Sequence, residues 1–449
     1  MNPDSPVRSQ MTPAESASRA RVASRSLAKL SNQSRNEALM AVAAAIEDRG
    51  RPILEANKLD CRAAVPAVAS GQMSSAMFER LQMDQHGIKE MAMRVREVVR
   101  LPDPLGRQLS ATELDEGLVL YKESCPLGVI GIIFESRPDV ISQVAALALK
   151  SGNAVLLKGG EETAHTNETL FEIWRNTVAG FPGIPIDFIH LLHTRSDVLE
   201  LLSLDREVNL IIPRGSRAFV EFVAQNSRIP VLGHGEGICH VYVDRMADIE
   251  MALRVTIDSK VQYPAACNAA ESLLVHESIA GRFLPLLVSE LKKAGVEVRG
   301  CAKTVALLGA SRIVPATERD WSTEYSDLIL SVKIVASAQE AIARIHRYGS
   351  GHTEAIVTED GDTAKRFMDE IDAAGVYHNV STRFADGFRY GLGAELGVST
   401  NKLHARGPVG LEGLTSYKYK LYGNGHIVAE YANGSRHFKH RPLTGAGRQ

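Results

Sequence analysis

Apolar and polar positions repeat with two different periods along the chain, and the periods divide it into helices and strands. Residues 14–60 and 75–100 carry apolar residues at helical spacing, so both stretches are predicted to be helical. The two prolines of LPDPLG, residues 101–106, end the second stretch. The segment at 117–126, GLVLYKESCP, alternates and predicts an exposed ribbon. The following GVIGIIF, residues 128–134, is apolar throughout and predicts a buried parallel strand.

From residue 128 onward strands and helices alternate in two series. The strand-like runs are NAVLLK, DFIHLL, VNLIIP and IPVLGH in the first series and ICHVYV, SLLVH, EAIVTED and GVYHN in the second. Strands that alternate with helices form a parallel sheet covered on both faces. We therefore predict two doubly wound α/β domains. The segment at 414–431, LTSYKYKLYGNGHIVAEY, is again β-like and is predicted to pair with the ribbon that precedes Cys125.

Composition narrows the class of protein. The chain has 449 residues, is 45% hydrophobic and has a net charge of -2, which is typical of a globular protein with room for two or three domains. This charge gives no reason to expect nucleic acid as a partner. No apolar run approaches the roughly 20 residues of a membrane helix. The five cysteines are widely spaced without a CxxC pair, which indicates a reducing cytosol and argues against a structural zinc site. We expect a cytoplasmic protein.

Cys267 is the first candidate for chemistry. It lies in VQYPAACNAAESLLVH, residues 261–276, after a predicted helix that Pro264 should end and before a predicted strand. Backbone amides of such a loop are able to stabilise a thiolate and an oxyanion. A buried structural thiol is the alternative, and the surroundings alone leave both open. Cys239 and Cys125 are predicted to be structural.

Two glycine turns follow strands of the first series. They are KGGEET at 158–163 and PRGSRAF at 213–219, positions where a doubly wound sheet binds nucleotides and a helix N-terminus favours phosphate. Neither contains the GxGxxG pattern, and tight βα turns explain them equally well.

Polar side chains after other strands are further candidates. Arg137 and Arg383 follow buried strands, where arginine holds carboxylate or phosphate, although a salt bridge is an equal alternative for each. His346 and His352, in HRYGSGH, are interpreted as surface loop histidines rather than metal ligands.

Several long motifs, taken together and in this order, resemble the gamma-glutamyl phosphate reductases, a family within the aldehyde dehydrogenase superfamily. The resemblance covers about residues 15–425, and the motifs are CPLGVIGIIFESRPD, SGNAVLLKGGEE, IIPRGS, GICHVYVD, CNAAESLLVH, TEYSDLILSVKIV and STRFADGFRYGLGAELGVSTNKLHARGPVGLEGLTSYKY. It implies an aldehyde dehydrogenase-like fold of two doubly wound α/β domains plus a β-ribbon oligomerisation element.

The resemblance also implies a division of the chain. It gives a cofactor-binding domain over 1–107 and 127–232, a catalytic domain over 233–383, an oligomerisation ribbon over 108–126 and 403–430, and a return segment over 384–402. The sequence beyond the resemblance, residues 431–449, is polar with a cluster of basic residues and predicts a flexible tail whose basic side chains are solvated. A homo-oligomer is expected, and an association with glutamate 5-kinase is plausible because acyl phosphates are labile.

The implied reaction is the NADPH-dependent reduction of L-glutamyl 5-phosphate to L-glutamate 5-semialdehyde with release of phosphate, in proline biosynthesis. Cys267 falls on the family's catalytic cysteine, which forms a thioester. A hydrolytic semialdehyde dehydrogenase on the same fold and a non-catalytic homologue are the alternatives. Gly233 stands where hydrolytic relatives carry a water-activating glutamate, which a phosphate-releasing reductase does not need. Glu236, three residues further on, is the alternative carboxylate for that role.

The remaining site residues follow from the resemblance, and no metal is expected. The Asn268 backbone amide and residues near Arg137 are candidates for oxyanion stabilisation. The substrate-binding candidates are Arg137, Ser381, Thr382 and Arg383, and the cofactor-binding candidates are Lys158, Gly159, Glu161, Gly215, Ser216 and Glu324.

Two positions depart from the family pattern. Glu161 replaces a lysine that is common in the family, which leaves NADH use open beside NADPH. Asp139 replaces an asparagine, and its carboxylate is expected to be paired or turned away from an anionic substrate.

Overall fold

The computed structural model describes residues 11–73, 75–135, 137–233, 235–311, 313–403 and 405–443, without the side chains of Ser75 and Ala76. The chain forms two compact units. The first unit contains Met1–Gly215, Phe219–Leu232 and Gly410–Gln449, and the second contains Ser216–Ala218 and Gly233–Val409. Among the residues in these ranges, no helix has both the length and the apolar composition needed to cross a bilayer.

The elements up to residue 232 are five helices, a β-ribbon and a βα series. In order they are α1 Pro13–Leu27, α2 Asn32–Asp48, α3 Gly50–Ala69, α4 Ser75–Leu81, α5 Gln85–Arg100, β1 Gln108–Asp115, β2 Leu118–Pro126, β3 Val129–Phe134, α6 Val140–Lys150, β4 Ala154–Lys158, α7 Ala164–Val178, β5 Ile189–Leu192, α8 Arg195–Leu201, β6 Leu210–Arg214 and α9 Arg217–Asn226. The sheet has the order β5-β4-β3-β6 and is parallel.

The predicted buried strands of this unit are confirmed. Every residue of β3 and β4 is buried, as expected for inner strands of a sheet covered on both faces. The strand predicted at 229–234 is wrong over its described residues, 229–233, because Val231 forms only an isolated bridge to Ile211. Pro230 has no amide hydrogen to contribute to a longer ladder.

The second unit is built on a seven-stranded parallel sheet. Its elements are β7 Cys239–Val243, α10 Ile249–Val261, β8 Ala270–His276, α11 Glu277–Lys293, β9 Glu297–Gly300, α12 Ala302–Leu308, β10 Val314–Pro315, β11 Ile329–Val335, α13 Ala338–Tyr348, β12 Thr353–Val357, α14 Gly361–Glu370, β13 Gly375–His378, β14 Val398–Ser399 and β15 Gly407–Pro408. The strand order is β10-β9-β11-β8-β7-β12-β13. The prediction of a second α/β domain is confirmed.

Helix α11 covers one face of this sheet with an apolar stripe. Phe283, Leu284 and Leu287 are inaccessible to solvent and belong to one core cluster with Val241 on β7 and Leu273 on β8. Burying each such side chain stabilises the fold by about 1.5–3 kcal/mol. The buried helix and strands give the loops at the sheet edge a fixed base.

The chain returns to the first unit with β16 Thr415–Tyr422, α15 Val428–Ala432 and β17 Arg441–Pro442. Strand β16 pairs antiparallel with β2 from Thr415 opposite Pro126 to Tyr422 opposite Val119. The predicted pairing of the C-terminal segment with the ribbon is therefore confirmed. The sheet order is β16-β2-β1-β17.

The flexible tail expected over 431–449 is wrong as far as residue 443. Strand β17 pairs with β1, and the Tyr431 hydroxyl donates to the Asp115 carboxylate at 3.1 Å. Arg436 and Lys439 lie 3.5 Å from the same carboxylate. The basic side chains that suggested a solvated tail are thus bound to an acidic group of the ribbon. Residues 444–449 lie outside the described part of the chain.

Candidate active site

Cys267 lies in the turn between α10 and β8, at the N-terminal edge of the parallel sheet. Helix α10 ends at Val261, before Pro264, as predicted. The Cys267 carbonyl accepts a hydrogen bond from Cys239 Sγ at 3.3 Å. A Cβ on Gly237 would lie 1.9 Å from that carbonyl oxygen, so only glycine permits this approach. The cysteine backbone is therefore held from two sides, and its side chain is half-buried.

His352 is the residue that the sequence interpretation missed. Its Nε2 atom lies 3.2 Å from Cys267 Sγ, and its Nδ1 atom lies 2.8 Å from the Thr353 hydroxyl. The side chain is inaccessible to solvent, so the interpretation as a surface histidine is wrong. His346, in contrast, is exposed, as predicted. The structure therefore places an imidazole against the sulfur of the candidate nucleophile.

Residues 381–383 form a wall beside the Cys267 turn. The Ser259 hydroxyl donates to Ser381 Oγ, and Arg383 Nε donates to Gln262 Oε1 at 2.9 Å, so the segment is tied to the end of α10. Burial lowers the pKa of Arg383, and the negative charge of the Cys267 thiolate opposes this shift. The guanidinium thus lies within electrostatic reach of the sulfur, where it favours an anionic ligand.

Asn268 connects the cysteine turn to this wall. Its side-chain Nδ2 donates to the Ala385 carbonyl at 2.8 Å. Its Oδ1 atom is buried and, like the Thr382 hydroxyl, has no hydrogen-bond partner among the described residues. The Ala266 and Ala269 amides bond within the turn, whereas no such bond is formed by the Asn268 amide in the described part of the chain. The Asn268 amide therefore remains able to serve an oxyanion.

The segment opposite the cysteine carries no carboxylate suited to activating water among its described residues. Gly233 has no side chain, and the Glu236 carboxylate forms an ion pair with Arg217. Glu324 accepts a hydrogen bond from the Gly237 amide, and burial raises the pKa of its carboxyl group. Glu236, the alternative to the missing glutamate at Gly233, is therefore not free to act as a base that activates water.

A buried ion pair connects the two elements that flank Cys267. Lys260 Nζ, on α10, lies 2.6 Å from Glu271 Oε2, on β8, and both side chains are almost fully buried. Burial raises the pKa of Glu271 to about 7, and the Lys260 ammonium opposes that shift. The Ser326 amide donates to the other carboxylate oxygen. The pair fixes the distance between the start and the end of the cysteine turn.

Three predicted cofactor residues, Lys158, Gly159 and Glu161, lie at the end of β4 and directly after it. Lys158 is buried, and its Nζ donates to the Gly159 carbonyl at 2.5 Å. Burial lowers the pKa of Lys158, while the carboxylates of Glu161 and Glu162 oppose the shift. Glu161, which stands where the family often has a lysine, therefore places a negative charge close to Lys158.

The other sequence-predicted residues lie in turns that follow β3 and β6. Gly215 and Ser216 are exposed and directly precede α9. Arg137 is exposed in the turn before α6. The Asp139 carboxylate pairs with Arg94 at 2.9 Å, which confirms the expectation that it is paired.

Comparison with known proteins defines the class first. The aldehyde dehydrogenase family model matches residues 7–305. The fold also resembles a glyceraldehyde-3-phosphate dehydrogenase from Methanocaldococcus jannaschii, solved in complex with NADP, with a TM-score of 0.63 at 17% identity over 92% of this chain and 94% of that chain. The chain is thus an aldehyde dehydrogenase in family and in fold.

Relatives of higher sequence identity show which family within the aldehyde dehydrogenases the chain belongs to. A gamma-glutamyl phosphate reductase from a Synechococcus strain is 54% identical over 94% of this chain and 92% of that protein. The crystal structure of a gamma-glutamyl phosphate reductase from Thermotoga maritima has a TM-score of 0.89 at 42% identity, over 93% of this chain and all of that chain. The chain therefore belongs to the gamma-glutamyl phosphate reductase family of enzymes, within the aldehyde dehydrogenases.

Proposed function

We propose that this chain catalyses the NADPH-dependent reduction of L-glutamyl 5-phosphate to L-glutamate 5-semialdehyde, with release of phosphate, through a thioester on Cys267. The names of the relatives supply the substrate and the reaction. The observation in the molecule that carries the proposal is the Cys267 turn beside Arg383, opposite a segment whose described carboxylate, Glu236, is held in an ion pair with Arg217. This arrangement suits an acyl group that is passed on rather than hydrolysed.

Residues of the second unit have separate roles in the proposed reaction. Cys267 Sγ attacks the carbonyl carbon of the acyl phosphate, and phosphate leaves with the bonding electrons. The Asn268 amide stabilises the oxyanion, and Arg383, with Ser381 and Thr382, holds an anionic group of the substrate. When bound, the nicotinamide supplies the hydride that reduces the thioester. Collapse of the thiohemiacetal releases the aldehyde and regenerates the thiolate. Arg137 is a further candidate for the substrate's anionic groups.

The proposed cofactor residues fit a nicotinamide dinucleotide. Lys158 supplies a cation, and Gly215 and Ser216 precede the N-terminus of a ten-residue helix, where phosphate is favoured. Glu324, half-buried and hydrogen-bonded to a backbone amide, is the proposed partner of a ribose hydroxyl. The carboxylate of Glu161 near Lys158 fits a free 2′-hydroxyl better than a 2′-phosphate. Use of NADH beside NADPH therefore remains part of the proposal.

Replacing Glu161 with lysine is expected to shift the preference toward NADPH. The change removes a negative charge near Lys158 and adds a positive one, which attracts a 2′-phosphate. We expect the ratio of kcat/KM for NADP+ over NAD+ to rise roughly tenfold, or about 1.4 kcal/mol. Glu172→Lys makes the same charge change at an exposed position of α7 and should leave the ratio unaltered. An equal effect of both variants would show that Glu161 does not contact the cofactor.

Phosphate dependence of the reverse reaction tests the function. Glutamate 5-semialdehyde, in equilibrium with pyrroline-5-carboxylate, is mixed with NADP+ or NAD+ in the presence and absence of phosphate. We expect reduced cofactor to accumulate only with phosphate, because the thioester is then resolved by phosphate and not by water. Equal rates without phosphate would establish the hydrolytic alternative, and no reaction in either case would support a non-catalytic homologue.

Assembly and location are further parts of the proposal. We propose a homo-oligomer formed through the ribbon of β1, β2 and β16, whose outer strand exposes aromatic side chains such as Tyr419. An association with glutamate 5-kinase would protect the labile acyl phosphate. A cytoplasmic location is supported by cysteines that form no disulfide among the described residues.

A further inference from the structure

We propose that His352 is a catalytic residue that takes the proton of Cys267 during acyl transfer and returns it to the sulfur when the aldehyde is released. The inference rests on the proposed function for the identity of the acyl donor. It rests on the structure for the contact itself, which joins Nε2 to Sγ across 3.2 Å. Neither the sequence motifs nor the relatives' names assign this role.

The position of His352 follows from the order of the strands. In the sheet, β7 lies between β8 and β12, and all three are parallel. Cys267 precedes β8 and His352 precedes β12, so both lie at the same edge, separated by the start of β7. Neighbouring strands are about 4.8 Å apart, so β8 and β12 are separated by about twice that distance, and a long side chain is needed to reach the short cysteine. The buried imidazole closes it with its Nε2 atom toward the sulfur.

The Thr353 hydroxyl is suited to fix the imidazole tautomer. It lies 2.8 Å from Nδ1, and Thr353 is almost fully buried at the start of β12. With the proton on Nδ1 donated to this oxygen, Nε2 keeps the lone pair that accepts a proton from the thiol. The geometry is that of a nucleophile, a base and a third group that orients the base.

The proton inventory balances over the proposed reaction. Sγ loses its proton to Nε2 as the sulfur–carbon bond forms and the bond from carbon to the phosphate oxygen breaks. The leaving phosphate takes one proton from solvent. After hydride addition the carbon–sulfur bond breaks, its electrons return to Sγ, and Nε2 gives the stored proton back. The sum is acyl phosphate, reduced cofactor and one proton giving aldehyde, oxidised cofactor and phosphate.

Other charged and titratable groups surround this pair. Arg383 comes from the wall at 381–383 and stabilises a thiolate. Cys239 comes from β7, and burial raises the pKa of its thiol well above the ordinary value, so it remains protonated. Glu354, on β12, is hydrogen-bonded to His240 at 3.0 Å. Glu271, on β8, is neutralised by Lys260. His352, by contrast, has its Nε2 atom 3.2 Å from Cys267 Sγ, where it is able to act as a base.

Alkylation of Cys267 by iodoacetamide tests this role without substrate or cofactor. The rate is followed between pH 5.5 and 9.5 by peptide mass spectrometry, with Cys301 in the same molecules as an internal reference. We expect the wild-type midpoint for Cys267 to lie below the roughly 8.5 of an ordinary thiol. In His352→Gln, we expect the midpoint to rise by about one pH unit or more and the rate at pH 7 to fall about tenfold or more. The Cys301 profile should not change.

Two further variants make the test specific. His346→Gln removes an exposed histidine of the neighbouring helix and should leave the Cys267 profile unaltered. Thr353→Val keeps the imidazole and removes the group that orients it, and should shift the profile by less than His352→Gln does. If His352→Gln does not fold, the wild-type profile decides, because a Cys267 midpoint at or above that of an ordinary thiol overturns the proposal.

Turnover separates this inference from the proposed function. In His352→Gln, phosphate-dependent turnover should be reduced at pH 7 and recover toward the wild-type rate near pH 9, where the thiolate forms without a base. An unchanged alkylation profile in His352→Gln overturns the role of His352 even if the phosphate-dependent reaction is observed. A shifted profile in a protein without that reaction would support the Cys267–His352 pair and contradict the reductase assignment.

Discussion

Replacing Cys267 with serine is expected to lower kcat by about 10³-fold or more while leaving the affinity for the cofactor unchanged. A serine hydroxyl is far less acidic than a thiol, so an imidazole in contact with it produces almost no anion near neutral pH. A serine ester would also accept hydride less readily than a thioester. The phosphate-dependent reduction of NADP+ measures turnover, and fluorescence titration measures cofactor binding.

Cys301→Ser is the matched control for this change. Cys301 lies in the same unit, and its sulfur contacts Thr304 rather than the residues around Cys267. We expect this variant to keep wild-type turnover within about a factor of two. Activity of Cys267→Ser within tenfold of the wild type would remove Cys267 from the role of nucleophile. A parallel loss of cofactor binding would instead indicate a structural defect.

Replacing Lys260 with methionine is expected to destabilise the second unit by about 3–5 kcal/mol. The change leaves the Glu271 carboxylate buried without its cation, although the Ser326 amide remains as a hydrogen-bond donor. Burial already raises the pKa of Glu271 to about 7, above its ordinary value. A carboxyl group with a raised folded-state pKa costs stability increasingly as the pH rises from its ordinary pKa of 4.5 to the folded-state value. Removal of Lys260 takes away a cation that opposes the shift and raises the folded-state pKa further, so the additional cost develops at the higher pH. The loss should therefore be smaller at pH 6 than at pH 8.

A surface pair in the same unit provides the comparison. Lys293 and Glu290 have the same 2.6 Å separation, but both are exposed. Lys293→Met should cost less than about 1 kcal/mol, because solvent screens the pair. The double variant Lys260→Met with Glu271→Gln should recover most of the loss, since the amide carries no charge. Chemical denaturation followed by circular dichroism measures all three, and equal costs for Lys260→Met and Lys293→Met would contradict the prediction.

The hydrophobic pattern of the sequence was sufficient to predict most of the helices and strands and the α/β fold class. The fully buried strands β3 and β4 and the helix that ends before Pro264 follow from short-range rules, because buried strands are apolar on both faces and proline stops a helix. The pattern failed at 229–234 and at 431–443. In the first stretch Pro230 limits the ladder, and in the second the polar side chains are ordered by a carboxylate that lies more than 300 positions away in the sequence.

The sequence by itself determined the family, the α/β class and the candidate nucleophile, because these depend on residue types in fixed local order. Only the tertiary structure decided which groups contact Cys267. His352 is 85 positions from the cysteine, and its own segment resembles a polar surface loop. The parallel order of β8, β7 and β12 brings the two residues to one edge of the sheet. Side-chain contacts across such an edge depend on strand order and burial, which no local pattern encodes.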